Sequence, residues 1–202
     1  MVDIITEVDL FDHVSKYDAV LVGTNINYSM RHGFQRKIAL NYPYVYDSNL
    51  STKYGDLNKM GTIIECKKDN NPIFIICYIN KNFNTRPDII KDYLDYDALE
   101  KCIKLINVIY KGKNLATTMI GCSKFDGNGD KNKVIDIIKR NSNSINITLY
   151  DYVQKSKDEM YKEILEKEHL IKEKDINLYY KVVAERKEKE KTLKELNGRA
   201  KF

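Results

Sequence analysis

A glycine-containing loop, Gly121–Gly129, has the residue types and position expected of a phosphate site. It follows an apolar run and directly precedes a helical pattern that begins near Lys131. Glycine lets the backbone turn tightly and approach a ligand closely, and the unpaired amides of a helix's first turn attract anions. No Gly-Lys-Ser/Thr ends the loop, so it fits neither a P-loop nor a dinucleotide-binding fingerprint. A plain connector is the alternative interpretation.

Two further loops carry polar side chains directly after apolar runs. The first, Gly23–Tyr28, contains Asn25, whose amide offers the donor and the acceptor that a ribose hydroxyl requires. The second, Ile79–Thr85, contains Lys81. A strand-end turn and a solvated lysine are the alternatives. In open α/β sheets ligands bind beyond the carboxyl ends of the strands, so all three loops are expected to border one cleft.

Apolar runs alternating with helical patterns predict an α/β domain with these loops at the strand ends. Several runs are apolar on both faces, which indicates a sheet covered by helices on each side. A polar spacer over 67–72 predicts an antiparallel hairpin. The predicted strands are Val2–Thr6, Ala19–Thr24, Gly61–Cys66, Ile73–Ile79, Leu115–Gly121 and Ile145–Tyr150.

Three helices are predicted in the same part of the chain. One begins near Asp97, where Asp97 and Glu100 match a capping box. Another spans Ser29–Asn41, and the third spans Lys131–Arg140 with Asp130 as N-cap.

Composition excludes several classes of function. The chain of 202 residues is 43% hydrophobic and 31% charged with a net charge of +5, and it has no clustered basic patch of the kind a nucleic-acid-binding protein carries. The cysteines form no CxxC pair, and the histidines have no metal-ligand spacing, so no metal or cofactor is expected. Reduced thiols and the lack of a signal peptide or a membrane-spanning run predict a cytoplasmic protein without membrane association.

Residues 153–202 differ in composition from the domain predicted over 1–152. They contain no proline, one glycine and dense lysine and glutamate, which predicts a charged helical C-terminal extension. It is interpreted as a solvated helix, the alternative being a helix that binds a partner or self-associates.

Four segments together resemble the macrodomain family, whose members bind ADP-ribose, over residues 2 to about 152. The similar segments are Ile4–Phe11, Tyr54–Ile64, the Ile120-Gly121-Cys122 run and the closing strand Ile147–Tyr150. The most similar branch contains the terminal ADP-ribose glycohydrolases and ADP-ribose-1″-phosphate phosphatases. The resemblance implies a three-layer α/β/α fold with a mixed sheet, and a ligand that is ADP-ribose or a related nucleotide, either free or attached to a protein or nucleic acid.

The resemblance also implies roles for individual residues. Lys81 falls on the position of a nucleophile that attacks the anomeric carbon of the ribose, and Asp126 on that of the acid/base, with Asp130 as its rival. A lysine is nucleophilic only as the neutral amine, which a desolvated cleft favours. The ligand-binding positions implied are Asp9 (for the adenine amino group), Leu10, Asn25, Gly33, Gly121, Cys122, Ser123, Gly127, Gly129 and Tyr150.

The sequence departs from the family pattern in both ligand loops, so catalysis and binding without turnover both stay as hypotheses. In the first ligand loop Gly33 is the only glycine near the helix, and Ser123 replaces a glycine in the second. One interpretation is that Arg36 or Lys37 compensates by pairing with phosphate; the alternatives are a pocket reshaped for another nucleotide and a loss of catalysis. Three hypotheses follow: a hydrolase that removes ADP-ribose from a target, a nucleotide-binding module without turnover, and an interaction protein whose tail recruits a partner.

Overall fold

A computed structural model describes residues 1–6, 8–81, 93–123 and 126–151, together with the single positions 184 and 188. All the elements below lie in a unit that extends over Met1–Val153. The predicted extension over 153–202 lies outside the described residues, apart from those two positions. Among the described residues, no helix combines the length and the apolar character needed to cross a bilayer.

A six-stranded mixed sheet forms the middle of this unit, with strand order β1-β6-β5-β2-β4-β3. Only β3 runs antiparallel, and it pairs with β4 as the predicted hairpin. The other neighbouring strands are parallel. The strands are β1 (Val2–Thr6), β2 (Ala19–Asn25), β3 (Ile63–Cys66), β4 (Phe74–Asn80), β5 (Asn114–Thr118) and β6 (Asn146–Asp151).

Helices cover both faces of the sheet, because its central strands are buried on both sides. Alternate residues of β4 enter two separate hydrophobic clusters, one with Ile75 and one with Ile76. The first cluster packs against α3 and α4, and the second against α1, α2 and a short 3-10 helix, Leu10–Lys16. The α-helices are α1 (Gly33–Asn41), α2 (Pro43–Leu50), α3 (Tyr96–Ile109) and α4 (Lys131–Asn141). The predicted three-layer α/β/α fold is confirmed.

Two predicted helix starts differ from the structure. The N-cap of α3 is Asp95, whose side chain accepts from the Ala98 amide at 2.9 Å. The predicted capping box at Asp97 is therefore wrong, and Asp97 lies in the first turn. Helix α1 begins at Gly33 rather than Ser29, because the residues before it form a turn around Asn25. By contrast, the predicted N-cap of α4 is confirmed, since Asp130 accepts from the Lys133 amide at 3.0 Å.

Helix α2 and a short 3-10 helix, Leu57–Lys59, were not predicted. Helix α2 starts with Pro43 at its first position, which is favourable there because the missing amide has no helical partner. Its hydrophobic residues are too few and too irregularly spaced to give a helical pattern in the sequence.

Candidate functional site

The central strands β2 and β4 end side by side in a polar group of side chains. Asn25 closes β2 and pairs in register with Asn80, which closes β4, after an irregularity between Thr24 and Asn25. Asn25, Thr24 and Asn80 are all buried, with exposures of 1%, 0% and 0%. This edge is where an open α/β sheet binds its ligands.

Asn25 uses its side chain to shape the loop that follows it. Its Oδ1 accepts from the amides of Asn27 at 2.9 Å and Ser29 at 3.2 Å. Its Nδ2 donates to the Ser29 carbonyl at 3.1 Å. Both ends of the amide are thus engaged within the loop, as expected for the strand-end turn that was the alternative interpretation of this segment.

Asp126 is a half-buried acidic residue at this edge. Its Oδ1 accepts a hydrogen bond from Asn80 Nδ2 at 2.8 Å. Burial raises the pKa of Asp126 from 3.8 to about 6, and the side-chain amides of Gln35 and Asn80 lower it in part. Gln35 lies in the first turn of α1, so groups from β4 and α1 both act on this carboxyl. A carboxyl with a pKa near 6 exists in both protonation states close to neutral pH.

Lys81 follows Asn80 directly and is exposed. Its carbonyl accepts from Asn27 Nδ2 at 3.2 Å, which ties the end of β4 to the loop after β2. The residues after it, 82–92, lie outside the described part of the chain. Lys81 is therefore an exposed residue at the edge of the site.

The three loop glycines pack closely against one another and against Leu94. A Cβ on Gly127 would lie 2.4 Å from the Gly121 carbonyl oxygen, and one on Gly129 would lie 2.5 Å from Leu94 Cδ2. The Gly121 carbonyl accepts from the Gly129 amide at 3.0 Å, and the Gly127 carbonyl accepts from the Leu94 amide at 3.1 Å. These glycines are required by the packing of the loop itself, whatever it binds.

Several loop amides are also used within the loop. The Ser123 carbonyl accepts from the amides of Asp126 at 2.9 Å and Asn128 at 3.0 Å, and Cys122 donates to the Met119 carbonyl at 3.0 Å. Ser123 itself is exposed. Burial raises the pKa of the Cys122 thiol to about 12, so this thiol stays protonated at neutral pH.

Asp130 differs from Asp126 in its surroundings. It is exposed, and its carboxylate accepts from the Lys133 amide as the N-cap of α4. Its own amide donates to the Tyr96 hydroxyl at 2.9 Å. Asp130 thus caps a helix, whereas the half-buried Asp126 carboxyl accepts hydrogen bonds from the side chains of Asn80 and Gln35.

The remaining predicted ligand residues lie at the amino ends of α1 and the first 3-10 helix and at the end of β6. Asp9 accepts from the Phe11 amide at 3.0 Å as the cap of that 3-10 helix, and it also pairs with Lys37. Lys37 is therefore engaged with a carboxylate in this structure. Gly33, the first residue of α1, is exposed and has a φ of +51°, and no atom lies within 4 Å of its Cβ position.

Leu10 and Tyr150 are buried in the second hydrophobic cluster, with exposures of 0% and 3%. The Tyr150 hydroxyl is 2.7 Å from that of Tyr17. Both residues contribute to the packing of that cluster.

Two groups at the site were not identified from the sequence, namely Asn80 and Gln35. Asn80 terminates an apolar run and immediately precedes Lys81, a signal that would have been sufficient to include it. Gln35 has no comparable signal, because its relevance depends on α1 lying next to the loop that contains Asp126.

Comparisons with known proteins identify the fold. No family model matches the sequence, and no curated protein matches it. Among solved structures, a protein of unknown function from Bacteroides thetaiotaomicron is 16% identical with a TM-score of 0.63, the match covering 76% of this chain and 98% of that one. The macrodomain of Thermus aquaticus DarG is 13% identical with a TM-score of 0.53, over 75% of this chain and 98% of that one. The chain has the macrodomain fold.

A third solved structure, Thermosipho africanus DarTG in complex with ADP-ribose, is 17% identical with a TM-score of 0.54. That match covers 77% of this chain and 43% of the other. At these identities the similarity shows the fold alone, and the chemistry of this site depends on its own side chains.

Proposed function

We propose that this chain binds ADP-ribose, or a closely related nucleotide, in the cleft at the carboxyl edge of its sheet. The observation that carries the proposal is the half-buried Asp126 carboxyl, which accepts a hydrogen bond from Asn80 at the end of β4, in a fold shared with a structure solved with ADP-ribose. Asp9, Asn25 and the loop Gly121–Gly129 are the proposed ligand contacts around it.

The amino end of α1 supports an anionic ligand. Helix α1 has no acidic residue in its first turn and no side-chain cap at its N-terminus. The amides of a helix's first turn and its dipole favour a negative charge nearby. The second loop uses several of its amides internally, so we propose that α1 shares the diphosphate with it.

We further propose that the chain hydrolyses the bond between ADP-ribose and an attached group, with Lys81 as nucleophile and Asp126 as acid/base. The Lys81 amine forms a bond to the anomeric carbon as the bond to the attached group breaks, and protonated Asp126 gives its proton to the leaving atom. Water then attacks the same carbon, the lysine leaves as the neutral amine, and the Asp126 carboxylate takes the released proton.

The surroundings of the two candidate acids favour Asp126 over Asp130. The pKa of Asp126, raised to about 6, suits a group that must both give and take a proton near neutral pH. Asp130 is occupied as a helix cap. Lys81 is exposed, so its neutral form requires that the bound substrate excludes water from the amine.

A binding module without turnover is the second candidate, and the exposure of Lys81 favours it. Such a module binds the same nucleotide in the same cleft but transfers no proton and cleaves no bond. A phosphatase acting on ADP-ribose-1″-phosphate is a further form of the catalytic proposal.

Release of ADP-ribose from an ADP-ribosylated protein or oligonucleotide, or of phosphate from ADP-ribose-1″-phosphate, tests the proposal. We expect Lys81→Ala to bind free ADP-ribose within threefold of the wild type while releasing product at least about 100-fold more slowly. Lys53→Ala, which changes another exposed lysine, is the control and should leave both unchanged. Equal rates for Lys81→Ala and the wild type would contradict the nucleophile, and binding without any release would favour the module.

A further inference from the structure

Asn80 connects the two groups proposed for catalysis. Its backbone precedes that of Lys81, and its side chain donates to the Asp126 carboxylate at 2.8 Å. The end of β4 that carries the lysine is thus joined directly to the loop that carries the acid.

The backbone holds Asn80 firmly in place. Its carbonyl accepts from the Ile26 amide at 3.1 Å, and the residue forms a bridge with Leu94 on its other side. The side chain has an exposure of 0%, so it is fixed both by pairing and by packing. A group held this way can fix the orientation of the carboxyl that it contacts.

The Asn80 side-chain amide uses only its donor end. Asn80 Oδ1 has no hydrogen-bond partner in the structure as described, and it faces Gly127, where a Cβ would lie 3.3 Å away. A buried amide oxygen without a partner is unfavourable, and an apolar residue would avoid that penalty. The amide is therefore best explained by the one bond that it makes, to Asp126.

We propose that Asn80 is the positioning residue that orients the Asp126 carboxylate toward the reacting centre beside Lys81. The catalytic role of Asn80 rests on the proposed function, whereas its hydrogen bond to Asp126 does not depend on that function. The Asn80 side-chain amide, at the end of β4, sets the orientation of the Asp126 carboxylate. Replacing this donor changes both the orientation of the carboxyl and its affinity for a proton.

The groups around Asp126 make this effect measurable. Burial raises the pKa of Asp126, and the two described groups that lower it are the neutral amides of Asn80 and Gln35. The titratable neighbour is the Cys122 thiol, whose pKa Asp126 raises and which stays protonated at neutral pH. Loss of the Asn80 donor therefore leaves Gln35 as the only described group that favours the charged carboxyl.

The sharpest comparison is between Asn80→Thr and Asn80→Val, because these side chains have nearly the same shape and only threonine can donate. Titration of the Asp126 carboxyl carbon by NMR, in the full chain, is the readout that does not depend on activity. We expect the midpoint in Asn80→Val to lie about one pH unit above that in Asn80→Thr. Thr24→Val is the control, since it removes a buried hydroxyl without a partner at the neighbouring strand end and should not move the midpoint.

For turnover, we expect Asn80→Val to lower kcat at least about 100-fold relative to Asn80→Thr, with KM and the affinity for free ADP-ribose within threefold. Equal midpoints and equal kcat in the two variants would overturn the proposal. If the valine variant does not fold, Asn80→Ser and Asn80→Ala make the same comparison. A chain that binds no ADP-ribose would contradict the proposed function, whereas the NMR comparison would still decide whether Asn80 acts on Asp126.

Discussion

At the scale of single residues, the surroundings of the Asp126 carboxyl disfavour its charged form. Burial raises the pKa of Asp126, and the side-chain amides of Gln35 and Asn80 offset only part of that rise. Because the pKa in the folded chain, about 6, lies above the ordinary value of 3.8, the folded state binds this proton more tightly than the unfolded state. Its contribution to stability is full below about pH 3.8 and is lost as the pH rises through 6.

This predicts that Asp126→Asn stabilises the fold near neutral pH while abolishing turnover. We expect the free energy of unfolding at pH 8 to rise by about 1–3 kcal/mol, with little change at pH 4, as measured by urea denaturation. Asp130→Asn is the matched control, since asparagine caps a helix about as well as aspartate. A destabilised Asp126→Asn variant at pH 8 would contradict the assigned pKa.

The sequence could supply only part of this picture. Lys81 was singled out because it follows an apolar run, and the family resemblance implied its role and that of Asp126; both roles stay predictions. Asn80 belongs to the buried strand itself, and its importance depends on a contact with a loop 46 positions further along the chain. Likewise, Gly127 and Gly129 were expected to let a ligand approach, whereas the side chain they pack against is Leu94, which no local pattern indicates.

At the scale of elements, the start of α3 offers a direct test of which aspartate caps it. Asp95 accepts from the Ala98 amide, while Asp97 lies within the first turn. We expect Asp95→Ala to lower the free energy of unfolding by about 1 kcal/mol and Asp97→Ala by only a few tenths. Thermal or urea denaturation measures both losses of stability. A larger loss for Asp97→Ala than for Asp95→Ala would instead support the capping box at Asp97.

At Gly127, in the loop after β5, close packing rather than an unusual backbone angle requires the glycine. A Cβ at Gly127 would collide with the Gly121 carbonyl, whereas Gly112 has a φ of +79° and open space around it. We expect Gly127→Ala to destabilise the fold by more than about 2 kcal/mol, compared with about 1 kcal/mol for Gly112→Ala.

The Gly127→Ala and Gly112→Ala variants also differ in their expected effect on nucleotide binding. Gly127→Ala should also weaken nucleotide binding at least tenfold, because the loop must move to accept the methyl group. Gly112→Ala should leave binding unchanged in a calorimetric titration. Equal losses of stability in the two variants would mean that the loop relaxes freely around Gly127.

Element boundaries were predictable where the signal was local. The N-cap at Asp130 and the β3–β4 hairpin were read from neighbouring residues and are confirmed. The start of α1 was not, because the Asn25 side chain holds residues 27–29 in a turn that a helical pattern cannot reveal.

At the scale of the whole molecule, burial of β4 on both faces was enough to predict three layers. The strand order β1-β6-β5-β2-β4-β3 was not predicted, because it depends on which crossovers bring distant strands together. The order is nonetheless what makes the site, since it sets β2 between β5 and β4 and so gathers Asn25, Lys81 and the Gly121–Gly129 loop at one edge.

Isothermal titration calorimetry of the full chain with ADP-ribose decides whether this edge of the sheet binds the nucleotide. We expect one molecule bound per chain with a Kd below about 100 μM, and at least a tenfold weaker Kd for Asp9→Ala, which removes the proposed adenine contact. Absence of heat and of any thermal shift at millimolar ADP-ribose would contradict the account.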